Sequence, residues 1–403
     1  MANVVPLGGK SAAAAGSGLN SIEEIIAELK AGRMVIIIDD EDRENEGDLI
    51  MAAERATPEA VAFMIRHTSG IICVPMEEEL LARLDLPQMV QANSESHRTA
   101  FTVSVDLRLG TTTGVSSSDR AATIRALADP AATAPQFARP GHIFPLRPRR
   151  GGVLVRAGHT EASVDLCRLA GLKPVGVLCE VMNDDGTMAR RPQLEAFGKR
   201  HNLKIGTIAD LIRYRLRNER SIERISEQTV QTDLGEFRLY AYEDRVNLDV
   251  HLALARGRLD GSEVPLVRVH VADTLRDLLG IRGNSRAWTL RAAMNRVAQA
   301  GSGVVVILRD RESPRDLAEA VSSLGSLAPT VEIAGATGAG ASAAASAAEP
   351  QQEVREVLRT YGVGAQILKD LGVRRMRVLS APKQIHGISA FDLEIEGYVG
   401  EEG

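Results

Sequence analysis

"SIEEIIAELKAGRMVIIIDDEDRENEGDL", Ser21 to Leu49, is the stretch whose reading decides the fold. Ser21 and Glu24 have capping-box spacing, and Ile22, Ile25, Ile26 and Leu29 recur as one helical face. Gly32 stands where a helix ends in a glycine. "MVIIID" then reads as a buried strand that runs directly into "DDEDRENEGDL". The first ten residues of that run, Asp39 to Asp48, hold seven carboxylates and one arginine. Like charges so close repel, and their ordinary home is a solvated loop. The alternative is a divalent cation, which offsets the repulsion by taking carboxylate oxygens. Gly47 is expected to let the backbone turn sharply inside the run.

Outward from this stretch, helices and strands alternate. "PEAVAFMIRHTSG", "SSSDRAATIRALAD", "QLEAFGKRHNL" and "TIADLIRYRLRNER" read as helices. "GIICVPM", "TAFTVSVDL" and "PVGVLCEVM" read as strands, and "HIFPLRPRRGGVLVRAGHTEASVDLCRLAG" as loop, strand, turn and helix. The expected architecture is α/β (α+β), a mixed sheet with flanking helices over residues 20–217. A second, smaller α/β unit is expected over 221–403. "FRLYAYED", "NLDVHLALARG", "PLVRVHV" and "SGVVVILRD" supply strands, "RAWTLRAAMNRVAQA" a helix, and "EVREVLRTYGVGAQILKDLGV" with "RMRVLS" a closing helix and strand. Residues 1–19 read as a disordered tail with no signal-peptide pattern, and 334–352 as a flexible insert of small residues.

The 403 residues are 44% hydrophobic and carry a formal net charge of -5, which gives no reason to expect nucleic acid or an anionic membrane as partner. No apolar run approaches the roughly 18 residues of a membrane span. Cys73, Cys167 and Cys179 are odd in number and fit free thiols in a reducing cytoplasm.

Three further segments carry chemistry. In "RAGHTEA" (156–162), Arg156 and Thr160 at a helix start would cradle a phosphate, and His159 would ligate a metal. Equally, Thr160 is a plain N-cap and His159 a surface residue. In "RPGHIFPLRP" (139–148), three prolines and a glycine fix a loop around His142, a histidine that is either catalytic or structural. Glu180 ends the apolar strand "PVGVLC", where it is either partly desolvated and suited to proton transfer or turned out to water.

In chain order, "DDEDRENEGDL", "TTTGVSSSDRAATIRAL", "RPGHIFPLR", "GGVLVRAGHTEASVDLCRLAG" and "GVLCEVMNDDGTMAR" resemble the 3,4-dihydroxy-2-butanone 4-phosphate synthase family of riboflavin biosynthesis. The resemblance implies conversion of D-ribulose 5-phosphate into L-3,4-dihydroxybutan-2-one 4-phosphate and formate. It implies a centre of two Mg²⁺ ions, with Mn²⁺ as a substitute, and Glu44 and His159 as the protein ligands. Arg43, Glu44, Asp48, Arg156, Ala157, Gly158, His159, Thr160 and Glu180 would bind substrate, and His142 and Glu180 would be catalytic. Thr113 and Cys73 would line the pocket, and a cytoplasmic homodimer is implied.

"PLVRVHVADTLRDLLG", "GVVVILRDRE" and "LRTYGVGAQILKDLGVRRMRVLS" resemble GTP cyclohydrolase II, a zinc enzyme with three cysteine ligands after its "VRVH". Here "VADTLRDLLGIRGNSRAW" holds no cysteine, and none follows Cys179 in the chain, so thiolate-bound zinc is excluded there. The expectation is a catalytically inactive second domain. Two rivals are a bifunctional enzyme that also opens the GTP ring, and a scaffold without catalysis.

Overall fold

The computed structural model describes residues 19–40, 43–246, 248–259, 263–281, 288–309, 314–324, 362–381 and 392–400. The disordered-tail expectation for 1–18 and the insert 334–352 lie outside them. The chain divides between Asn218 and Glu219 into two compact units.

In the first unit, α1 (Ile22–Lys30) starts at the Ser21–Glu24 capping box, with Gly32 at φ +79° just past its end. β1 (Val35–Ile38) follows, and then β2 (Gly47–Ala52), which the acidic composition had concealed. The two strands form a hairpin in which Ile38 faces Gly47 and Ile37 faces Asp48. The acidic run is therefore the tip of a buried hairpin. Gly47 does not make the turn: it lies within β2, and the left-handed residue is Asn45 at φ 54°. A Cβ on Gly47 would come within 2.5 Å of the Leu194 side chain, so glycine is needed there for close packing.

Next come α2 (Pro58–His67), β3 (Cys73–Pro75), α3 (Glu78–Arg83), β4 (Val105–Leu107), α4 (Ser117–Leu127), β5 (Phe137–Leu146), α5 (His159–Leu169), β6 (Gly176–Glu180), α6 (Arg191–His201), β7 (Lys204–Thr207) and α7 (Ile208–Asn218). The seven strands form one mixed sheet in the order β4-β5-β3-β6-β2-β1-β7. Ile36, Ile38, Leu49 and Met51 pack with apolar side chains of α2, α4 and α6 on one face. The intervening Ile37 and Ile50 alternate to the other face, where α1, α5 and α7 contact one another.

Three expectations here are corrected. "RPGHIFPL" is strand β5, not a loop; its prolines sit in an irregular ladder whose register jumps between Val105 and Asp106 of β4. Gly141 permits that crossing, because a Cβ there would lie 2.0 Å from the Val105 carbonyl carbon. "GGVLV" is no strand: Gly152–Leu154 is a buried 3-10 turn entered through left-handed Gly151 and Gly152. Of "TAFTVSVDL" only Val105–Leu107 is a strand.

The second unit has its own seven-stranded mixed sheet. Its strands are β8 (Ile222–Thr232), β9 (Gly235–Asp244), β10 (Asp249–Arg256), β11 (Leu266–Val271), β12 (Gly303–Leu308), β13 (Arg375–Leu379) and β14 (Glu394–Val399). They lie in the order β14-β13-β11-β12-β10-β9-β8. Helices α8 (Thr274–Asp277), α9 (Leu290–Ala300), α10 (Pro314–Leu324) and α11 (362–370) complete it. Among the described residues no helix is long and apolar enough to cross a membrane.

Candidate active site

The hairpin tip is organised from its first carboxylate. Asp39, buried at the end of β1, accepts the backbone N–H groups of Glu44 (3.1 Å) and Glu46 (2.9 Å) and the Arg43 guanidinium (3.0 Å). Arg43 also reaches the Glu44 carboxylate at 2.7 Å. Its side chain is only 7% exposed, and both of its carboxylate contacts are made within the loop.

β2 carries Asp48 inward, and α5 brings His159 to meet it. The His159 Nε2–H donates to the Ile37 carbonyl at 3.1 Å, which aims Nδ1 at Glu44 (3.6 Å) and Asp48 (3.7 Å). Asp39, Glu44 and His159 each offer a ligand atom, all within 4.8 Å of one another. Asp39 was not singled out from sequence as a ligand; only its neighbour relation to the run marks it.

The electrostatics ask for more positive charge than the residues supply. Burial pushes the Asp48 carboxyl well above its ordinary range, against the pull of His159. One of its oxygens, Oδ1, is buried with no hydrogen-bond partner. Burial works against the His159 charge too, yet Asp48, Glu44 and Asp39 overcome it and raise the imidazole to about 9. Glu44 is also penalised by burial, but His159 and Arg43 hold it down at about 2. An orphaned carboxylate oxygen and an imidazole drawn towards protonation among three carboxylates make a donor set suited to a divalent cation. The residues fit such an ion.

Glu180, at the end of β6, is the cross-strand partner of Asp48 and accepts the Ser69 hydroxyl at 2.6 Å. Cys73 on β3 faces Leu178 on the same strand as Glu180, and burial pushes its thiol well up. The Glu180 corner thus joins the acidic hairpin, as the motif order implied.

Of the other expected residues, His142 and Arg156 have partners of their own. His142 is 46% exposed at its side chain, with Nδ1 2.6 Å from Asp106 and its own N–H on the same carboxylate. No hydrogen bond or ion pair joins it to Glu44, His159 or Glu180 among the described residues. Thr113 sits exposed in the loop before α4. Arg156 is paired with buried Glu161 at 2.7 Å and reaches His97 O and Thr99 Oγ1 at 3.2 Å. Ala157, Gly158 and Thr160 line the start of α5, where a Cβ on Gly158 would come 2.5 Å from the Arg156 guanidinium and displace it. Sequence reasoning missed Ser69, Asp106 and the 93–99 loop. That loop is folded around the Glu95 carboxylate, which accepts the N–H groups of His97 and Thr99. Its polar residues resemble any surface connection, so only contacts reveal it.

Fold and site together define a two-domain α/β protein whose first domain holds a carboxylate–histidine cluster suited to a hard divalent ion. The family model for 3,4-dihydroxy-2-butanone 4-phosphate synthase matches residues 23–214, and that for GTP cyclohydrolase II matches 223–400. A Pseudomonas aeruginosa protein named 3,4-dihydroxy-2-butanone 4-phosphate synthase is 52% identical over 95% of this chain and 100% of its own. An Arabidopsis thaliana protein named bifunctional riboflavin biosynthesis protein RIBA 1, chloroplastic, is 45% identical over 95% of this chain and 69% of its own. The crystal structure of a two-domain 3,4-dihydroxy-2-butanone 4-phosphate synthase from A. baumannii is 40% identical, with TM-score 0.77, covering 95% of this chain and 100% of that one. The chain belongs to the 3,4-dihydroxy-2-butanone 4-phosphate synthase family, in its form with a GTP cyclohydrolase II-like second domain.

Proposed function

We propose that the protein is a Mg²⁺-dependent lyase that converts D-ribulose 5-phosphate into L-3,4-dihydroxybutan-2-one 4-phosphate and formate. The observation that carries this reading is the convergence of Glu44 and Asp48 on the Nδ1 of His159, whose Nε2–H is tied to Ile37 O. Glu44 and His159 would hold the metal, with Asp39 beside them. The cation, Mg²⁺ or Mn²⁺, would supply charge stabilisation for the oxygens of a polyol ketose.

The chain's own groups then divide the remaining work. Glu180, steadied by Ser69, is a base or acid beside Asp48, and the two carboxylates can exchange protons with a substrate held over the ends of the two strands. Asp106 accepts from His142 and orients its ring as a second proton carrier. The start of α5, with Ala157, Gly158, Thr160 and the Arg156–Glu161 pair, offers N–H groups and a guanidinium to the phosphate. The domain limits 20–217 and 221–403, a homodimer and a cytoplasmic location belong to the same reading. The second domain is inactive towards GTP and holds no zinc, because no cysteine follows Cys179. The rival, a bifunctional enzyme, draws support from the relative of that name.

The test supplies D-ribulose 5-phosphate and Mg²⁺ and measures formate with and without chelator. Formate release that the chelator stops is expected. An absence of chelator-sensitive formate would remove the proposed activity.

A further inference from the structure

The hairpin tip that carries Glu44 has its backbone secured from two sides. On the inner side, Asp39 takes the N–H groups of Glu44 and Glu46. On the outer side, the Arg190 guanidinium donates through Nη1 to the carbonyls of Glu44 and Asn45. Arg190 comes from a different part of the chain, 146 residues from Glu44 in sequence, as the N-cap residue of α6. Its own backbone is anchored to the same sheet: Ala189 N–H donates to Val181 O, and Val181 N–H donates to Gly47 O. The side chain lies 3.8 Å from the Glu46 carboxylate and is 43% exposed.

The energetic need for such a clamp follows from the tip's composition. Asn45 suits the left-handed conformation it adopts, but the carboxylates of Glu44 and Glu46 repel each other, so the turn is strained electrostatically and gains from being held. A carbonyl held at Glu44 and another at Asn45 fix the peptide planes on either side of the left-handed residue. With Asp39 fixing the N–H of Glu44, both faces of that residue's backbone are set, and its carboxylate lies between the Arg43 guanidinium (2.7 Å) and His159 Nδ1 (3.6 Å).

We infer that Arg190 is a positioning residue: it sets the Glu44 carboxylate for divalent-ion binding by holding the carbonyls of the hairpin tip. It touches neither metal nor substrate. The inference rests on the reading of Glu44 as a metal ligand, and the experiment separates the two. Outer partners of metal ligands characteristically change metal affinity by about 10- to 100-fold when lost.

Mn²⁺ is titrated into the full chain without substrate and followed by electron paramagnetic resonance, for wild type, Glu44→Gln, Arg190→Met and Arg190→Lys. Glu44→Gln is expected to lose Mn²⁺ binding. Arg190→Met is expected to weaken it by about 10-fold or more, with an unchanged melting temperature, and Arg190→Lys, which keeps one donor, to fall between. In turnover at saturating metal, Arg190→Met should recover most of its kcat, since the clamp acts through metal affinity. If Glu44→Gln loses Mn²⁺ but Arg190→Met binds within twofold of wild type, the inference about Arg190 is overturned and the metal reading stands. If Glu44→Gln still binds normally, the metal reading itself fails. Should Arg190→Met not fold, Arg190→Lys decides: affinity equal to wild type overturns the inference, and intermediate affinity supports it.

Discussion

The two units each fold as a seven-stranded mixed sheet with helices, yet they use their polar interior differently. In the first, three carboxylates and an imidazole converge where β1, β2 and the start of α5 meet, and one buried carboxylate oxygen is left without a partner. In the second, buried histidines are engaged one by one. His270 Nε2 pairs with Asp277 at 2.8 Å, and His251 Nδ1 accepts the Arg309 N–H at 3.1 Å. No group of three or more metal-type ligands converges there among the described residues. Asp370 of that unit instead gathers Arg220, Arg224 and the Tyr242 hydroxyl, so its carboxylate is fully engaged. A fold can keep its sheet and core while its polar groups settle into separate closed pairs, although the buried His270 Nδ1 is left without a partner there too. Chemistry needs the opposite of separate pairs, a set of groups that converge on one point and are held there by rigid neighbours.

That contrast can be broken most severely at the cluster itself. Glu44→Gln and His159→Ala are each expected to lower ribulose phosphate turnover on the order of 10³-fold or more, with melting temperature little changed. A variant that kept near-normal turnover would return the cluster to the closed kind seen in the second unit.

A structural pair in the first unit gives the next effect. Arg215 and Asp165 are both buried and meet at 2.8 Å, with Asp165 also accepting the Val153 N–H. Arg215→Met leaves that buried carboxylate only the half-exposed Arg168, at 3.2 Å, as a cation, and a loss of about 3 kcal/mol is expected in denaturant unfolding of the first unit. A loss below about 0.5 kcal/mol would show the pair to be dispensable.

The pH dependence of the chelated protein is smaller. The folded His159 sits at about 9 against an ordinary 6.5, so the charged imidazole stabilises the fold. That contribution is fully present below about 6.5 and is lost as pH rises through about 9, amounting to on the order of a few kcal/mol. Wild type is expected to lose melting temperature over this window and His159→Gln to lose much less. Equal slopes would contradict the charge assignment. Least affected is the second unit's Tyr242→Phe, expected to cost about 1 kcal/mol through its bond to Asp370. Synthase turnover should not move.

Much of this was legible in the sequence where local rules decide. The Ser21–Glu24 box, Gly32 and the apolar run of β1 each carry a short-range signal, and the carboxylates with His159 were marked by type and order. What escaped depended on long-range contact. β2 begins with Gly47 and Asp48, a pair that looks like a loop until the ladder to β6 makes the aspartate an interior residue. β5 was hidden because its prolines and glycine serve a close crossing of β4. β8 escaped because residues 223–229 are all exposed, which removes the alternation that announces a strand. Arg43 was assigned to substrate by motif alone, and its commitment to Asp39 and Glu44 is visible only in the folded chain.

Formate gives the contrast between the units a single readout, because opening the GTP ring and cleaving ribulose phosphate both release it. The full-length chain is incubated with Mg²⁺ and either D-ribulose 5-phosphate or GTP as sole substrate, and formate is measured over time. Formate from the sugar phosphate and none above background from GTP is the expected result. Formate from GTP would contradict the assignment of chemistry to the first unit alone.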